Sequence, residues 1–412
     1  MNGAARKRFV FPLLCVLVVP LVAIPAIAFV VISGDGRGAQ PLLAQGSIGG
    51  TFHPVAGAFK PDTTKLEDCQ GSFGCLEQAF GNVAYTRGPK TALRLFERRI
   101  SEDDDVAADC HRISHWIGSA SLARFHGSVG RTFAQGAPTC GAGYYHGILE
   151  RAFAGVTSKA QLAKLARSLC LGQGLRRRGY FDRQCEHGLG HGLMIQTGYD
   201  LPTALSVCAG LATPWDHLTC SNGVFMENSN TGFGFRSRWV DDENPLYPCN
   251  EVGSLDRRHC FARVSTRVLQ ATGNDFELAA RSCADLARRW ARQCFRGFGR
   301  DAVDVRGGPE TTLKRCRLAA VWEGECLFGA ARWVMDRAGR DGTRGAVALC
   351  TRAAPAVQGD CFRGIGTVLG LLNPSNAARR RACTKVTPRY VDACTQAAIA
   401  EVDPSAPEEA WG

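Results

Sequence analysis

The chain has 412 residues, of which 45% are hydrophobic and 21% charged, and its net charge is +11. This composition excludes an intrinsically disordered protein, and the length favours several domains or a repeat. Beyond the N-terminal tail, lysine and arginine are scattered, with triplets at 176–178 and 379–381 only, so the positive charge predicts no nucleic-acid partner.

The N-terminus predicts a membrane anchor. Residues 1–8 form a short basic tail, and the uncharged apolar run from Phe9 to Ile32 is long enough to span a bilayer as a helix. We interpret residues 9–33 as a signal anchor and 34–62 as a flexible spacer. The basic tail then faces the cytoplasm, and the body lies outside a plasma membrane that the chain crosses once. The alternative is cleavage after Ala28.

The nineteen cysteines indicate an oxidising environment. Reducing compartments rarely hold so many thiols except in metal clusters, which use close spacings such as C-x-x-C. That spacing occurs nowhere in this chain. The cysteines therefore support, independently of the anchor, an extracytoplasmic location for the body.

From the middle of the chain the cysteines come in pairs, whose second members recur every 32 to 40 residues. This period is typical of helix–turn–helix solenoids. The predicted disulfides are Cys170–Cys185, Cys208–Cys220, Cys249–Cys260, Cys283–Cys294, Cys316–Cys326, Cys350–Cys361 and Cys383–Cys394. For the remaining four cysteines the sequence leaves the connectivity open, and Cys69–Cys75 with Cys110–Cys140 is our hypothesis.

The body is predicted to be an all-α, disulfide-stapled helical-hairpin repeat over residues 63–404, followed by a tail at 405–412. Its units are irregular to about residue 230 and regular over 245–404. Glycine stands three residues after six of the cysteines, which predicts a smooth patch where neighbouring helices approach closely. The period and the glycines are similar to those of helical-hairpin repeats in general. That similarity implies a curved, α-solenoid-like array with a concave face on which a partner protein could bind.

Five of the nine histidines fall in three successive units. Two pairs have i,i+4 spacing, which places both rings of a pair on one face of a helix. The predicted metal ligands are His111, His115, His146, His187, His191 and Glu150, with Glu186, Glu227 and Met226 supporting them from outside. Imidazole ligands suit a transition metal, here copper, iron or zinc.

Geometry limits the predicted site. Packed helices lie roughly 8–10 Å apart, so one metal bound by all five histidines is not expected, whereas a two-metal site or a subset of three or four ligands is. His146 and His191 both stand six residues after a cysteine, and Met226 continues that column. The motif lacks the glutamate of H-E-x-x-H proteases, so no particular reaction is predicted.

Two functions are open at this point. The early units could bind a metal for storage, delivery or oxidative chemistry. Alternatively, the array could be a protein-interaction scaffold in which the histidines only pack. The four histidines that are not predicted metal ligands, among them His126, His217 and His259, are predicted to have surface or capping roles.

Overall fold

The computed structural model describes residues 59–137, 139–154, 156, 158–171, 177–229, 237–304, 307–338, 342–403 and 405–406. The predicted basic tail, membrane anchor and nearly all of the spacer lie outside these residues. Within them, no helix combines the length and the apolar composition that crossing a membrane requires.

The described residues form twenty α-helices and two 3₁₀ helices, and they contain no β-strand. The prediction of an all-α body is therefore confirmed for this part of the chain. The 3₁₀ helices are Leu66–Asp68 and Ala320–Trp322. The α-helices are α1 (Phe73–Arg87), α2 (Pro89–Glu102), α3 (Asp104–Ala108), α4 (Cys110–Arg124), α5 (Val129–Phe133), α6 (Thr139–Ala152), α7 (Lys159–Leu169), α8 (Tyr180–Gln196), α9 (Leu201–Ala209), α10 (Pro214–Asn228), α11 (Ser254–Phe261), α12 (Val264–Thr272), α13 (Phe276–Ala284), α14 (Arg288–Ala302), α15 (Gly308–Arg317), α16 (Glu323–Ala338), α17 (Thr343–Arg352), α18 (Pro355–Leu372), α19 (Asn376–Val386) and α20 (Val391–Ala400).

Local signals in the sequence explain where several of these helices begin. The side chains of Ser158, Thr213, Asp275 and Ser375 each accept a hydrogen bond from a backbone N–H in the first turn that follows. Such N-caps satisfy backbone donors that have no partner inside the helix. They begin α7, α10, α13 and α19.

The helices form an inner and an outer layer. The inner helices α1, α4, α6, α8 and α10 pack against one another in chain order, and α14, α16, α18 and α20 do the same. Between the two series, α11 and α12 connect α10 to α14. The shorter helices between them, such as α9, α13 and α17, form the outer layer and contact the neighbouring inner helices.

Nine disulfides join the described hairpins. The structure links all seven pairs that follow from the cysteine rhythm, and it also links Cys69 to Cys75 and Cys110 to Cys140. In the later units each bridge connects the end of an outer helix to an inner helix, as Cys316 of α15 and Cys326 of α16 show. Each bridge therefore fixes one hairpin.

Glycine sets the spacing between the inner helices. A Cβ atom on Gly147 of α6 would overlap the carbonyl oxygen of His115 in α4, and one on Gly118 of α4 would overlap the carbonyl oxygen of Tyr144 in α6. The same reciprocal contact joins α8 to α10 and α14 to α16. The backbones thus approach more closely than side chains would allow, as the glycine positions predicted.

Helices that are distant in sequence also meet on the inner side. Helix α6 contacts α16, and α8 contacts α18. The Tyr180 hydroxyl donates to the carbonyl of Asp336 at 3.2 Å, and Arg183 lies 3.7 Å from the Asp336 carboxylate. The inner side is therefore crossed by contacts, which differs from the open concave face that the repeat pattern implied.

Candidate metal centre

Helices α4, α6 and α8 bring the five paired and aligned histidines together on the inner side. His111 and His115 lie on α4, His146 on α6, and His187 and His191 on α8. Close packing through glycine shortens the distance between these helices, so that side chains from three units meet. The rings of His111 and His146 are 5.4 Å apart, and those of His146 and His187 are 5.1 Å apart.

The ring nitrogens form two overlapping triads. One contains His111, His115 and His146, and the other contains His146, His187 and His191. Within each triad the candidate ligand atoms all lie within 4.8 Å of one another. The geometry thus offers two three-ligand sets that share His146, in keeping with the limit that helix spacing placed on a single site.

In three histidines the Nδ1 atom, which we call the outer nitrogen, lies within hydrogen-bond distance of an oxygen atom. His115 Nδ1 lies 2.6 Å from a Glu150 carboxylate oxygen, and His191 Nδ1 lies 2.8 Å from Glu227. His111 Nδ1 lies 2.6 Å from the carbonyl oxygen of Cys140. Because these oxygens accept hydrogen bonds, the protons belong on Nδ1, and the Nε2 lone pairs are left to bind a metal.

These Nε2 atoms face each other in pairs. The distance is 3.0 Å between His111 and His115 and 3.3 Å between His187 and His191. Two lone pairs this close repel unless a proton or a metal cation lies between them. Nitrogens bound to one tetrahedral zinc at about 2.0–2.1 Å are roughly 3.4 Å apart, so both pairs have a spacing that suits a shared metal.

His146 lies at the centre of the cluster. It is 1% exposed, and neither ring nitrogen has a hydrogen-bond partner among the described residues. Its ring stacks on His191 with centroids 4.4 Å apart. A buried polar atom without a partner costs about 1–3 kcal/mol, and such atoms in a folded protein require an explanation. Coordination of a metal ion by each nitrogen, with release of the ring proton to solvent, would supply one.

Burial keeps three of these histidines neutral, His111, His146 and His187. It lowers the pKa of His111 to about 3, with the neighbouring His115 as a second cause. Burial and the nearby His191 also lower the pKa values of His146 and His187 well below the ordinary range. Neutral imidazole is the form that binds metals, so the cluster is prepared for a metal ion at neutral pH.

The acidic residues predicted beside the histidines take different places. Glu150 contacts the outer nitrogen of His115 and does not stand among the triad atoms. Glu227 supports His191 and accepts a hydrogen bond from the Tyr199 hydroxyl at 2.5 Å. Glu186 lies 4.0 Å from Arg177 on another side of α8, and burial raises its pKa.

The inward-facing positions predicted from the histidines extend further along the array of helices than expected. Met226 lines a cavity together with His146 and His187, and this cavity extends along α11, α14 and α16. His259 also lines it and is only 7% exposed, so of the surface and capping roles predicted for His259 the surface role is excluded. His217 instead pairs with Asp256 at 2.9 Å.

Sequence reasoning missed the arginines of this cavity. Arg300 and Arg332 stand six residues after Cys294 and Cys326, the same position that His146 and His191 occupy after their own cysteines. Arg296 stands two residues after Cys294, as His187 does after Cys185. Following these two positions through every unit, whatever the residue type, would have found them.

No family model matches the chain, and neither the curated proteins nor the solved structures gave a match. The function of the cluster therefore has to be inferred from its own geometry.

Proposed function

We propose that the chain binds transition-metal ions through His111, His115, His146, His187 and His191, in two overlapping sites that share His146. The observation that carries this proposal is the state of His146, which is buried with two unpartnered ring nitrogens between two histidine pairs. Nδ1 and Nε2 of one imidazole point in different directions, so His146 can bind one metal through each nitrogen once the ring has lost its N–H proton to solvent and become an imidazolate.

The ligand set narrows the choice of metal. The triads consist of imidazole nitrogens, and the Glu150 and Glu227 carboxylates are engaged on the outer side of the rings. Iron(II) oxygenases use two histidines and a carboxylate, whereas imidazole-rich sites suit copper and zinc. We therefore favour copper or zinc over iron. Zinc would supply Lewis acidity, and copper would add redox chemistry; storage or delivery of the ion needs only reversible binding.

We further propose that the centre faces an oxidising space and is tethered to the plasma membrane by residues 9–33. The nine disulfides of the described region support this location, because reducing compartments do not maintain such bridges. The uncharged run after the basic tail supports the tether.

The scaffold alternative predicts an extended open groove and histidines satisfied by backbone partners. Contacts of α6 with α16 and of α8 with α18 cross the inner side, and neither ring nitrogen of His146 has a hydrogen-bond partner in the part of the chain that the structure describes. These observations favour the metal site. One backbone partner among the five histidines, the Cys140 carbonyl at His111 Nδ1, fits the scaffold as well, but it leaves Nε2 of that ring facing His115.

Metal content provides the test. We would purify the full chain, remove metals with a chelator, reload it separately with copper, zinc and iron(II), and measure bound metal by elemental analysis. We expect up to two ions per chain in the wild type and a loss from both sites in His146→Ala, because that ring is shared. His191→Ala should weaken mainly the site on α8.

The matched control is His217→Ala, whose ring pairs with Asp256 outside the cluster and whose loss should leave the metal content unchanged. A wild-type protein that holds no metal under any of these loading conditions would show that the proposal is wrong.

A further inference from the structure

A cavity of about 130 Å³ lies between α6, α8, α10, α11, α14 and α16. A single water needs about 10–15 Å³ on the same scale, so the cavity has room for a small molecule of several heavy atoms. Asn222, Arg300 and Trp333 in its lining are partly exposed, which gives access from solvent.

Positive charge dominates this lining. It contains six arginines and one carboxylate, that of Asp336. The arginines are Arg183, Arg258, Arg263, Arg296, Arg300 and Arg332. An enclosed site of one charge sign attracts ions of the opposite sign, and guanidinium groups match carboxylate and phosphate oxygens particularly well.

Carboxylates outside the lining hold several of these arginines in place. Arg296 pairs with Glu325 at 2.8 Å, and Arg332 pairs with Glu401 at 3.2 Å. Arg263 differs from them. It is 8% exposed, it donates to the neutral side chain of Asn222 at 3.3 Å, and no carboxylate of the described residues lies in ion-pair contact with it.

Besides nitrogens of His146 and His187 and one oxygen of Asp336, two polar atoms of the lining are buried without a hydrogen-bond partner among the described residues, Nε2 of His259 and Nη1 of Arg296. Both side chains are at least nine-tenths buried. Burial and the neighbouring Arg300 lower the pKa of Arg263, against a smaller opposite effect of Asp301. Isolated buried cations and unpartnered polar atoms are both unfavourable, and one anion would satisfy them together.

We propose that this cavity, which we call the arginine chamber, binds a small oxyanion with two negative charges, such as a phosphate group or a dicarboxylate. Arg263 supplies the guanidinium that has no carboxylate partner. Nη1 of Arg296 donates a second hydrogen bond, and Nε2 of His259 adds a third contact, donating when that nitrogen carries the ring proton.

Anion binding needs no metal, because these groups lie on α11, α14 and the turn after α11. His146 and His187 line the same cavity, so a bound anion would lie beside the metal centre. A role of that anion as the substrate or co-ligand of a metal rests on the proposed function. Binding of the anion in the chamber does not. Binding measured on metal-free protein separates the two proposals.

The experiment uses the full chain after chelator treatment. We would titrate it with sodium sulfate, sodium phosphate and sodium succinate, with sodium chloride at matched ionic strength as the reference, and record heat of binding and the thermal midpoint Tm. We expect saturable binding of the divalent anions and a rise in Tm that chloride does not reproduce.

Arg263→Gln is the diagnostic variant. It should weaken anion binding by about tenfold or more, since a charge-assisted contact is lost. Its Tm without anion should be unchanged or higher, because a buried cation without a carboxylate partner is removed. A merely structural Arg263 would show the opposite, a lower Tm and no effect on binding. Arg281→Gln on the outer helix α13, where Arg281 is exposed beside Glu277, is the control and should bind like the wild type.

Divalent anions that stabilise the protein no more than chloride does would overturn the proposal, and so would wild-type anion affinity in Arg263→Gln. If that variant does not fold, Arg296→Gln, which removes the second proposed contact, replaces it, with the same expected loss of affinity and the same contrary result. Tighter binding of phosphate than of succinate, or the reverse, supports the chamber in either case and identifies the chemical group.

Discussion

The units that hold the histidines and the units that hold the arginines pack their inner helices through the same contact. On α10, Gly223 lies against the carbonyl oxygen of His187, and on α16, Gly329 lies against the carbonyl oxygen of Arg296. In both regions a disulfide fixes the hairpin just before this contact. The backbone arrangement is therefore shared.

The two regions differ in the side chains two and six residues after the second cysteine. After Cys185 these are His187 and His191, which are prepared for a cation. After Cys294 they are Arg296 and Arg300, which favour an anion. The comparison teaches that cysteine and glycine specify the frame of this repeat, whereas two inward positions per unit are free to carry different chemistry.

The largest expected difference between the two regions is in how their stability responds to acid. Burial lowers the pKa of His111 from 6.5 to about 3 and lowers those of His146 and His187, whereas arginine does not titrate in this range. At pH values between the ordinary pKa of 6.5 and these lowered pKa values, the histidines of the unfolded chain bind protons that those of the folded protein do not. The free energy of unfolding should therefore fall as the pH falls below about 6.5, by up to about 1.4 kcal/mol per pH unit for each histidine.

Urea unfolding of the metal-free protein between pH 7 and pH 4.5 measures this slope. In the variant with His146→Gln and His187→Gln the slope should be smaller, while Arg296→Gln should leave it unchanged. An equal slope in the wild type and in the histidine variant would locate the acid sensitivity elsewhere.

Removal of single disulfides should show the next largest difference. Replacing both Cys110 and Cys140 by Ser, or both Cys350 and Cys361, should cost about 2–4 kcal/mol of stability in each case. The first bridge closes the longer loop, 30 residues against 11, so its loss should cost more. Only the first should also weaken metal binding, because the carbonyl of Cys140 accepts the hydrogen bond that orients His111.

Unfolding midpoints and metal affinity, measured on both double variants, test this difference. The Cys350/Cys361 variant could instead lose as much metal affinity as the Cys110/Cys140 variant. That result would mean that the orientation of the histidines does not depend on the disulfide nearest to them.

Much of the frame could be predicted from the sequence, because its signals are local. Cysteine pairs at a fixed period place Cys316 beside Cys326, and N-caps such as Ser375 mark where helices begin. The i,i+4 spacing by itself places His187 and His191 on one face of a helix.

The contacts across the inner side could not be predicted, because they depend on how far the array curves. No local pattern shows that Tyr180 meets Asp336, or that Glu150 turns toward the outer nitrogen of His115. The Arg263 environment was missed for the same reason, since one arginine among many gives no signal until its neighbours are known.

Substitution of the contact glycines should have a smaller effect than loss of a disulfide. Gly147→Ala and Gly329→Ala each place a methyl group against a backbone carbonyl, which forces the helices apart at a cost of about 1–3 kcal/mol. The stability losses should be similar, because the contacts are. Metal affinity should fall only in Gly147→Ala, where α4 and α6 separate between the histidines.

Gly359→Ala is the control, because its Cβ would meet only the Tyr390 ring at 3.7 Å, an ordinary contact distance. Thermal unfolding combined with metal titration covers all three variants. Equal metal affinity in Gly147→Ala and Gly329→Ala would argue against the close approach of α4 and α6 as the reason that the triads converge.

Substitution of the carboxylates that support each region should have the smallest effect. Glu227→Gln keeps the shape of the side chain but removes the charge that fixes the His191 proton on Nδ1, and loss of such a support weakens metal binding by about 10–100-fold. Glu325→Gln removes the partner of Arg296 in the arginine units and should leave metal affinity unchanged. It should instead strengthen sulfate binding, because the chamber gains net positive charge. Parallel titrations of both variants with zinc and with sulfate test the comparison directly. If Glu325→Gln weakened zinc binding as much as Glu227→Gln did, the two regions would act as one site, and their separate roles would have to be abandoned.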